Sequence, residues 1–369
     1  MNIVIIGGGV AAFEAAVAAA AASIHKVTLC TKEAVLPYRR PALSRMVAEE
    51  LPDTAFYFKD TAFYQERNIE LLLDQEAVAI DRERKIVSFS SGREISYDRL
   101  ILATGGRAFV PPVDGAENAH VLREYDDLCF IKEKLAAGLR QTVIIGGGVL
   151  GLELADSLLA KNCDVTLIEA GSHVLSRNLD DDSAGLVMEH LNSLPGLKIR
   201  INAKVCKITP ECVILENGES IRSGLTVFSA GVRSNTALAA AAGLAVDRGI
   251  LVNEMMQTED PAIYACGDAA EFAGGCCNLL TTAKSMGHIA GVNASGGNEV
   301  FKQEIYPLRM MALGIKLFSA GKLVDAVSET SGDFGNYQRL TRDSAGNLTG
   351  VILMGDLKAA VKLQKELHL

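Results

Sequence analysis

The chain opens with a short apolar run, Ile3 to Ile6, followed at once by glycines and then by an alanine-rich stretch from Ala11 to Ala22. A short apolar run bounded by glycines is typical of a buried strand, and the alanine-rich stretch favours a helix. The same order recurs in TVIIGGGVLGLELA, which leads into the apolar run DVTLIE. The pattern therefore predicts two strand–turn–helix units, each followed by a second strand.

The glycine spacing in both units fits the turn that binds a dinucleotide, G-x-G-x-x-G/A. The matching positions are Gly7, Gly9 and Ala12 in the first unit and Gly146, Gly148 and Gly151 in the second. The first glycine allows a tight turn, the second lets the backbone approach a pyrophosphate, and the third position keeps helix and strand close. One match is weak evidence, but two in this order are strong. We therefore predict an α/β chain with two Rossmann-like dinucleotide-binding domains.

An acidic residue at the end of the second strand of such a unit usually holds a ribose. Glu169 stands there in the second unit, where it would accept from a 2'-hydroxyl, repel a 2'-phosphate and so favour NADH over NADPH. In the first unit the equivalent place is Thr31, and the nearest acid is Glu33, two residues later. A solvated strand end is the alternative interpretation of either glutamate.

Two further strand ends carry candidate cofactor contacts. The segment ISYDRLILATGGR places Thr104 and Gly105 after an apolar strand, and DPAIYACGDAAEF places Asp268 directly after Gly267. A carboxylate at such a strand end can bind the hydroxyls of a ribityl chain. The alternative is an aspartate that caps a helix.

Composition narrows the class of protein. The chain has 369 residues, of which 49% are hydrophobic and 22% are charged. This length and composition predict a globular protein with a well-buried core and two or three domains. A net charge of -9 argues against nucleic acid as a partner. The alanine-rich run is interrupted by Glu14 and is too short to span a bilayer, and the first residues lack a signal-peptide pattern, so we expect no membrane association and a cytoplasmic location.

The eight cysteines are scattered without CxxC spacing, which indicates reduced, mostly buried thiols and no metal site. None lies between Cys30 and Cys129. The neighbouring pair Cys276 and Cys277 leaves two interpretations open, a strained redox disulfide or two reduced small side chains, of which we favour the second.

Together these motifs resemble the FAD- and NAD-dependent pyridine nucleotide oxidoreductases. The chain is most similar to the NADH:rubredoxin oxidoreductases and to the N-terminal portion of nitrite reductase large subunits, through GGG at Gly7, PYRRPALS, ATGG, GGGVLGLELA, GILVNEMMQT, IYACGDAAEF and GIKLFSAG. The resemblance implies that FAD is held by Gly7, Gly9, Ala12, Arg40 and Asp268, and that NAD is held by Gly146, Gly148, Gly151 and Glu169. It also places Glu153 near the flavin and nicotinamide.

In that family the segment LPYRRPALSRMV lies along the FAD pyrophosphate and flavin ring. Arg40 is then a phosphate clamp, because a guanidinium binds two oxygens at once. Relatives often carry lysine where this chain has Arg45, which implies a cation close to flavin N5 and suggests an ion pair with Glu153. A solvated helix arginine is the alternative for Arg45.

The same segment holds a reactive cysteine in many related flavoenzymes, and here it has none. We therefore expect hydride transfer from NADH to flavin N5, and electrons passed singly to a small acidic carrier such as rubredoxin, without a redox-active cysteine. Two alternatives stay open: an NADH oxidase or diaphorase that uses oxygen or a quinone-like acceptor, and an FAD- and NADH-binding redox sensor.

The predicted domain order is discontinuous. An FAD-binding domain covers 1–107 and 243–298, an NAD-binding domain covers 108–242, and a small α+β domain covers 302–369. The last domain carries nine Lys/Arg against seven Asp/Glu, so a positive face could steer an acidic carrier. A helix is expected to begin near Thr281 with its positive end toward the flavin. The oligomeric state is expected to be monomer or homodimer.

Overall fold

A computed structural model describes residues 1–21, 24–276, 279–302 and 307–367. The chain divides into two compact units. The first comprises Met1–Ala42, Leu51–Arg107 and Val232–Gln303, and the second comprises Leu43–Glu50, Ala108–Gly231 and Glu304–Leu369. The three-domain assignment by cofactor stays a prediction. Cys277, half of the neighbouring cysteine pair, lies outside the described residues.

Both predicted strand–turn–helix units are present, and each is followed by the predicted second strand. Up to residue 108 they are β1 (Asn2–Ile6), α1 (Val10–Ala20), β2 (Lys26–Cys30), α2 (Ala42–Ala48), α3 (Asp53–Phe56), α4 (Thr61–Glu66), β3 (Ile69–Leu72), β4 (Ala77–Asp81), β5 (Ile86–Phe89), β6 (Glu94–Ser96), β7 (Arg99–Leu102) and β8 (Gly106–Ala108). Up to residue 228 they are β9 (His120–Val121), α5 (Tyr125–Ala136), β10 (Gln141–Ile145), α6 (Val149–Ala160), β11 (Asp164–Ile168), α7 (Asp181–Asn192), β12 (Leu197–Arg200), β13 (Val205–Ile208), β14 (Cys212–Leu215), β15 (Ser220–Arg222) and β16 (Leu225–Phe228).

The remaining elements complete both units. They are β17 (Val232–Ser234), α8 (Ala237–Ala241), β18 (Ile250–Val252), β19 (Ile263–Ala265), β20 (Ala270–Phe272), β21 (Gly275–Cys276), α9 (Leu280–Ala294), β22 (Leu308–Ala312), β23 (Ile315–Gly321), β24 (Val327–Ser331), β25 (Tyr337–Arg342), β26 (Leu348–Met354) and α10 (Ala360–Glu366). Short 3-10 turns cover Ala116–Asn118 and Gly267–Ala269. No helix in the described ranges is long and apolar enough to cross a membrane.

The core of the first unit is a five-stranded parallel sheet in the order β19-β7-β1-β2-β3. On the central strand, Val4 pairs with Thr28 on one side and with Leu100 on the other. Strands β1, β2, β7 and β19 are buried along nearly their whole length, which is why they are mostly apolar rather than alternating. An antiparallel meander, β4-β5-β6, belongs to the same unit.

The alanine-rich helix α1 packs backbone to backbone against α9. A Cβ added at Gly287 would lie 2.3 Å from Ala11 O, and one added at Gly291 would lie 2.4 Å from Ala15 O. The small residues of both helices therefore serve a close helix pair. This contact fixes α1, and with it the glycine turn at its start, against the rest of the unit.

The second unit repeats the same architecture. Its parallel sheet has the order β12-β11-β10-β16-β9, and it carries its own antiparallel meander, β13-β14-β15. On the central strand, Val143 pairs with Thr166 and Thr226, as Val4 does with its neighbours in the first unit. The repeat confirms the predicted α/β class with two Rossmann-like domains.

The C-terminal part of the second unit is an antiparallel sheet in the order β22-β23-β26-β25-β24, with α10 packed on one face. Ser319 Oγ donates to Asn178 O at 2.7 Å, and the Arg339 guanidinium pairs with Asp180 Oδ2 at 2.8 Å. Asp180 caps α7 by accepting from Ser183 N, so the sheet is fastened to the start of that helix. The small α+β part that the sequence predicted is present.

Candidate dinucleotide and flavin site

The first glycine turn is shaped by close backbone contacts. Gly7 N donates to Cys30 O at 2.8 Å, and Gly7 has a φ of +144°, where a Cβ would lie 2.1 Å from Ala103 O. Gly9 is the extended residue before α1, and the nearest atom to a Cβ there is Arg40 Nε at 4.0 Å. Ala12 is fully buried one turn on. The turn thus leaves room at a helix start whose N–H groups can receive a phosphate.

The second glycine turn has the same geometry. Gly146 N donates to Ile168 O at 2.8 Å, and at its φ of +121° a Cβ would lie 2.3 Å from Ser229 O. A Cβ at Gly151 would lie 2.1 Å from Gly146 O, so helix and strand approach as the fingerprint requires. A Cβ at Gly148 would meet no atom within 4 Å. Backbone packing therefore requires Gly146 and Gly151, whereas Gly148 faces open space.

Glu169 lies at the end of β11, and its carboxylate is held by two backbone donors. Gly147 N donates to Oε2 and Gly171 N donates to Oε1, both at 2.7 Å. These bonds point the half-buried carboxylate back at the glycine turn. Each carboxylate oxygen accepts more than one hydrogen bond, so the group can still bind ribose hydroxyls.

Glu33 and Arg40, predicted for the ribose and the pyrophosphate, lie together in the first unit. Arg40 Nη2 donates to Glu33 Oε1 at 2.8 Å, and Tyr38 Oη donates to Glu33 Oε2 at 2.7 Å. The Arg40 guanidinium lies 5.4 Å from the Tyr38 ring centroid, and that ring stacks on Phe56 at 4.8 Å. A buried aromatic pair thus orients both charged side chains. Sequence reasoning missed Tyr38, although it sits in the same PYRR segment.

The turn after β7 is held by Asn235, another residue that sequence reasoning missed. Thr104 Oγ1 donates to Asn235 O, Asn235 Nδ2 donates to Thr104 O, and Asn235 N donates to Gly105 O, each at 2.9 Å. Gly105 has a φ of +66°. The three bonds fix the Thr104–Gly105 backbone with a segment that lies 131 residues further along the chain.

Asp268 lies in the 3-10 turn Gly267–Ala269, directly after β19. Gly267 has a φ of +68°, and a Cβ there would lie 2.8 Å from Ala11 Cβ, so the turn packs against α1 near the first glycine turn. Asp268 itself is half-buried. Helix α9 begins at Leu280, one residue before the predicted start.

Arg45 and Glu153 both lie in the second unit, but the suggested ion pair between them is wrong. Arg45 Nε donates at 2.9 Å to Oε1 of Glu49, the residue that directly follows α2, and the Arg45 side chain is 65% exposed. Ser44 Oγ instead donates to Glu153 Oε2 at 3.2 Å. Burial raises the pKa of Glu153, and the nearby Asp156 carboxylate adds to the rise, while the Ser44 bond opposes it. A hydroxyl stabilises a carboxylate less than a cation does, so the pKa of Glu153 is lowered less by Ser44 than it would be by an arginine.

Two parallel sheets, each with a glycine turn that opens a helix, together with Glu169 directly after β11 and Glu33 three residues after β2, are typical of a flavoprotein oxidoreductase that binds two dinucleotides. Residues 1–290 match the pyridine nucleotide-disulphide oxidoreductase family, and the chain belongs to it. This confirms the predicted family, fold class and enzyme class, with FAD and a pyridine nucleotide as cofactors.

Two relatives are similar over nearly the whole chain. The NADH-rubredoxin oxidoreductase of Clostridium acetobutylicum is 31% identical over 368 residues, 99% of this chain and 93% of the relative. The crystal structure of NADH:rubredoxin oxidoreductase from that organism matches with a TM-score of 0.85 over 100% of this chain and 94% of its own. The covalent putidaredoxin reductase–putidaredoxin complex matches with a TM-score of 0.88 at 28% identity, over 100% and 92% of the two chains.

Proposed function

We propose that the protein takes a hydride from NADH onto flavin N5 of bound FAD and passes the electrons singly to a small acidic redox protein, with rubredoxin as the first candidate. The full-length similarity to an NADH-rubredoxin oxidoreductase supports the acceptor class. Similarity to the reductase of a putidaredoxin complex supports a protein acceptor rather than a small molecule.

The choice of NADH rests on Glu169. Its carboxylate is held by Gly147 N and Gly171 N, so it cannot swing away to admit a 2'-phosphate without losing two charge-assisted hydrogen bonds. A 2'-hydroxyl, in contrast, can donate to the same oxygens. We therefore propose that NADPH is a poor substrate.

The proposed direct transfer rests on the absence of cysteine from residue 31 to 128. The PYRRPALSR segment within this stretch contains arginines and Ser44 instead. The buried thiols are also poor nucleophiles: burial raises the pKa of both Cys30 and Cys266 to about 12. All seven cysteines that the structure describes are free thiols. These facts support a reductase that uses no disulfide relay.

Bound FAD supplies the step between two-electron hydride chemistry and one-electron transfer. The first glycine turn, with Arg40 and Asp268, would hold FAD, and the second glycine turn with Glu169 would hold NADH. Ser44 Oγ donates to the Glu153 carboxyl and keeps it in place, and burial raises the pKa of that carboxyl. The chain thus contributes the residues that would hold both cofactors and a mostly buried carboxyl with a raised pKa.

Anaerobic stopped-flow mixing with NADH tests the proposal. We expect rapid loss of the flavin absorbance, and then faster reoxidation by rubredoxin than by air-saturated buffer. Alkylation of accessible thiols with iodoacetamide should leave both rates unchanged. Reoxidation by oxygen that matches or exceeds that by rubredoxin would instead indicate an NADH oxidase, and slow reduction by NADH would indicate a redox sensor.

A further inference from the structure

One outer surface of the C-terminal sheet combines exposed apolar side chains with cations. Along β22, Met310 and Ala312 are buried, whereas Arg309 and Met311 point outward, and Met311 is 74% exposed. Lys316 is the direct cross-strand neighbour of Met311 in the register of β22 and β23. Packing among the described residues leaves this large, flexible thioether exposed beside a lysine on the sheet surface.

The surface continues onto the last helix. Arg309 lies 5.0 Å from the Phe318 ring centroid and donates through Nη2 to Gln364 Oε1 of α10 at 3.5 Å. Gly355 N donates to Lys316 O at 2.9 Å, which brings the loop before α10 beside the hairpin. Hairpin and helix therefore form one continuous outer face.

The helix side of this face is also cationic around an exposed apolar residue. Val361 is 60% exposed. Three lysines lie close to Val361 in the sequence: Lys358 three residues before it, Lys362 directly after it and Lys365 four residues after it. We call Arg309, Met311, Lys316, Lys358 and Val361 the cationic face.

The charge balance of this region is opposite to that of the chain. Five cations, Arg309, Lys316, Lys358, Lys362 and Lys365, stand against Asp356, whose Oδ2 pairs with Lys358 Nζ at 3.3 Å. The hydrogen bond from Lys358 N, together with the Lys358 and Lys316 charges, lowers the pKa of Asp356. Glu366, at the end of α10, pairs with Arg342 Nη1 at 3.5 Å. The whole chain carries a charge of -9, so this positive region is local.

Methionine and arginine are enriched in protein interfaces, and complementary charge raises the association rate more than the affinity. Short-lived electron-transfer complexes also use small interfaces, below about 1,200 Å². We propose that the cationic face docks the small acidic redox protein that oxidises the enzyme. This inference rests on the proposed function and adds the surface through which the acceptor binds.

The test uses the FAD-loaded enzyme, purified rubredoxin, and two variants of the face. One reverses two charges, R309E with K316E, and the other replaces the apolar centre, M311D. K322E is the matched control, because Lys322 is 67% exposed, pairs with Asp325 at 3.2 Å, and directly follows the end of β23 that is remote from Lys316. NADH–ferricyanide turnover in each variant reports flavin reduction without protein docking.

We expect ferricyanide turnover and the Kd for NADH to stay at the wild-type values in all three variants. The KM for rubredoxin should rise about tenfold in the double reversal at low ionic strength, and this difference should shrink at 0.5 M salt, where the Debye length is roughly 4 Å. M311D should raise KM at both ionic strengths. K322E should behave as wild type.

Calorimetry of oxidised rubredoxin binding distinguishes failure of the docking surface from failure of the proposed function. The docking surface would be overturned if both face variants kept the wild-type KM and Kd for rubredoxin. It would also be overturned if K322E weakened rubredoxin binding as much as the face variants do. Binding that the face variants weaken, without any reduction of rubredoxin by the wild-type enzyme, would overturn the proposed function and keep the surface. Absence of binding to the wild-type enzyme at low ionic strength would overturn both.

Discussion

Replacing Gly148 by alanine should weaken NADH binding without weakening the fold. Gly148 precedes α6 with φ -77° and ψ -177°, an extended conformation that any residue adopts. An added Cβ would meet no protein atom within 4 Å. The loss of a favourable N-cap residue is offset by about 0.4–1 kcal/mol from a less flexible unfolded chain. The free energy of unfolding should therefore change by less than about 0.5 kcal/mol.

The same methyl group would occupy the space through which the backbone approaches a pyrophosphate. If the phosphate loses one charge-assisted hydrogen bond, about 1.5–3 kcal/mol of binding free energy is lost. The Kd for NADH should then rise roughly 10- to 100-fold. FAD content should stay constant, because the first glycine turn is unchanged.

Fluorescence titration with NADH and urea unfolding measure the two quantities. Gly146→Ala is the contrasting variant: its Cβ would lie 2.3 Å from Ser229 O at a φ of +121°, so it should destabilise the protein. Gly185→Ala, inside α7 with no atom within 4 Å of the new Cβ, should stabilise it by up to about 1 kcal/mol and leave NADH binding alone. A wild-type Kd for NADH in Gly148→Ala would refute the reasoning.

Three further variants test the remaining site residues. Glu169→Arg should shift the ratio of kcat/KM for NADPH and NADH at least tenfold toward NADPH, because a repelling carboxylate is replaced by a cation, and an unchanged ratio would return Glu169 to a structural role. Asp268→Ala should lower the amount of FAD retained after purification, measured as the ratio of flavin to protein absorbance. A full complement of FAD in this variant would count against a contact between Asp268 and FAD. For Glu153, the pKa is raised in the folded state, so the unfolded chain ionises first and stability is lost as pH rises above about 4.5. Glu153→Gln removes this loss, so it should raise the melting temperature relative to wild type more at pH 7.5 than at pH 4, and an equal difference at both pH values would contradict the effect of burial.

Local pattern was sufficient for the strands on either side of the glycine turns, the turns themselves and the start of α9, because each depends on residues within about ten positions. The Arg45–Glu49 pair also had a local signal, since the two residues are spaced i and i+4 on a helix. The incorrect pairing of Arg45 with Glu153 came from the family pattern, in which a lysine stands at that position. The Glu49 carboxylate, directly after the end of the same helix, binds the planar arginine instead.

By itself, the amino-acid sequence determined the α/β class, the two glycine turns, the stretch from residue 31 to 128 without a cysteine, and the position of Glu169 after the second strand of its unit. Only the tertiary structure decided which distant side chains form hydrogen bonds with the residues of the site. Ser44 meets Glu153 across 109 positions and Thr104 meets Asn235 across 131, and no local spacing encodes such pairs. The physical reason is that hydrophobic periodicity fixes the elements, whereas contacts between distant side chains depend on how the sheets and helices pack.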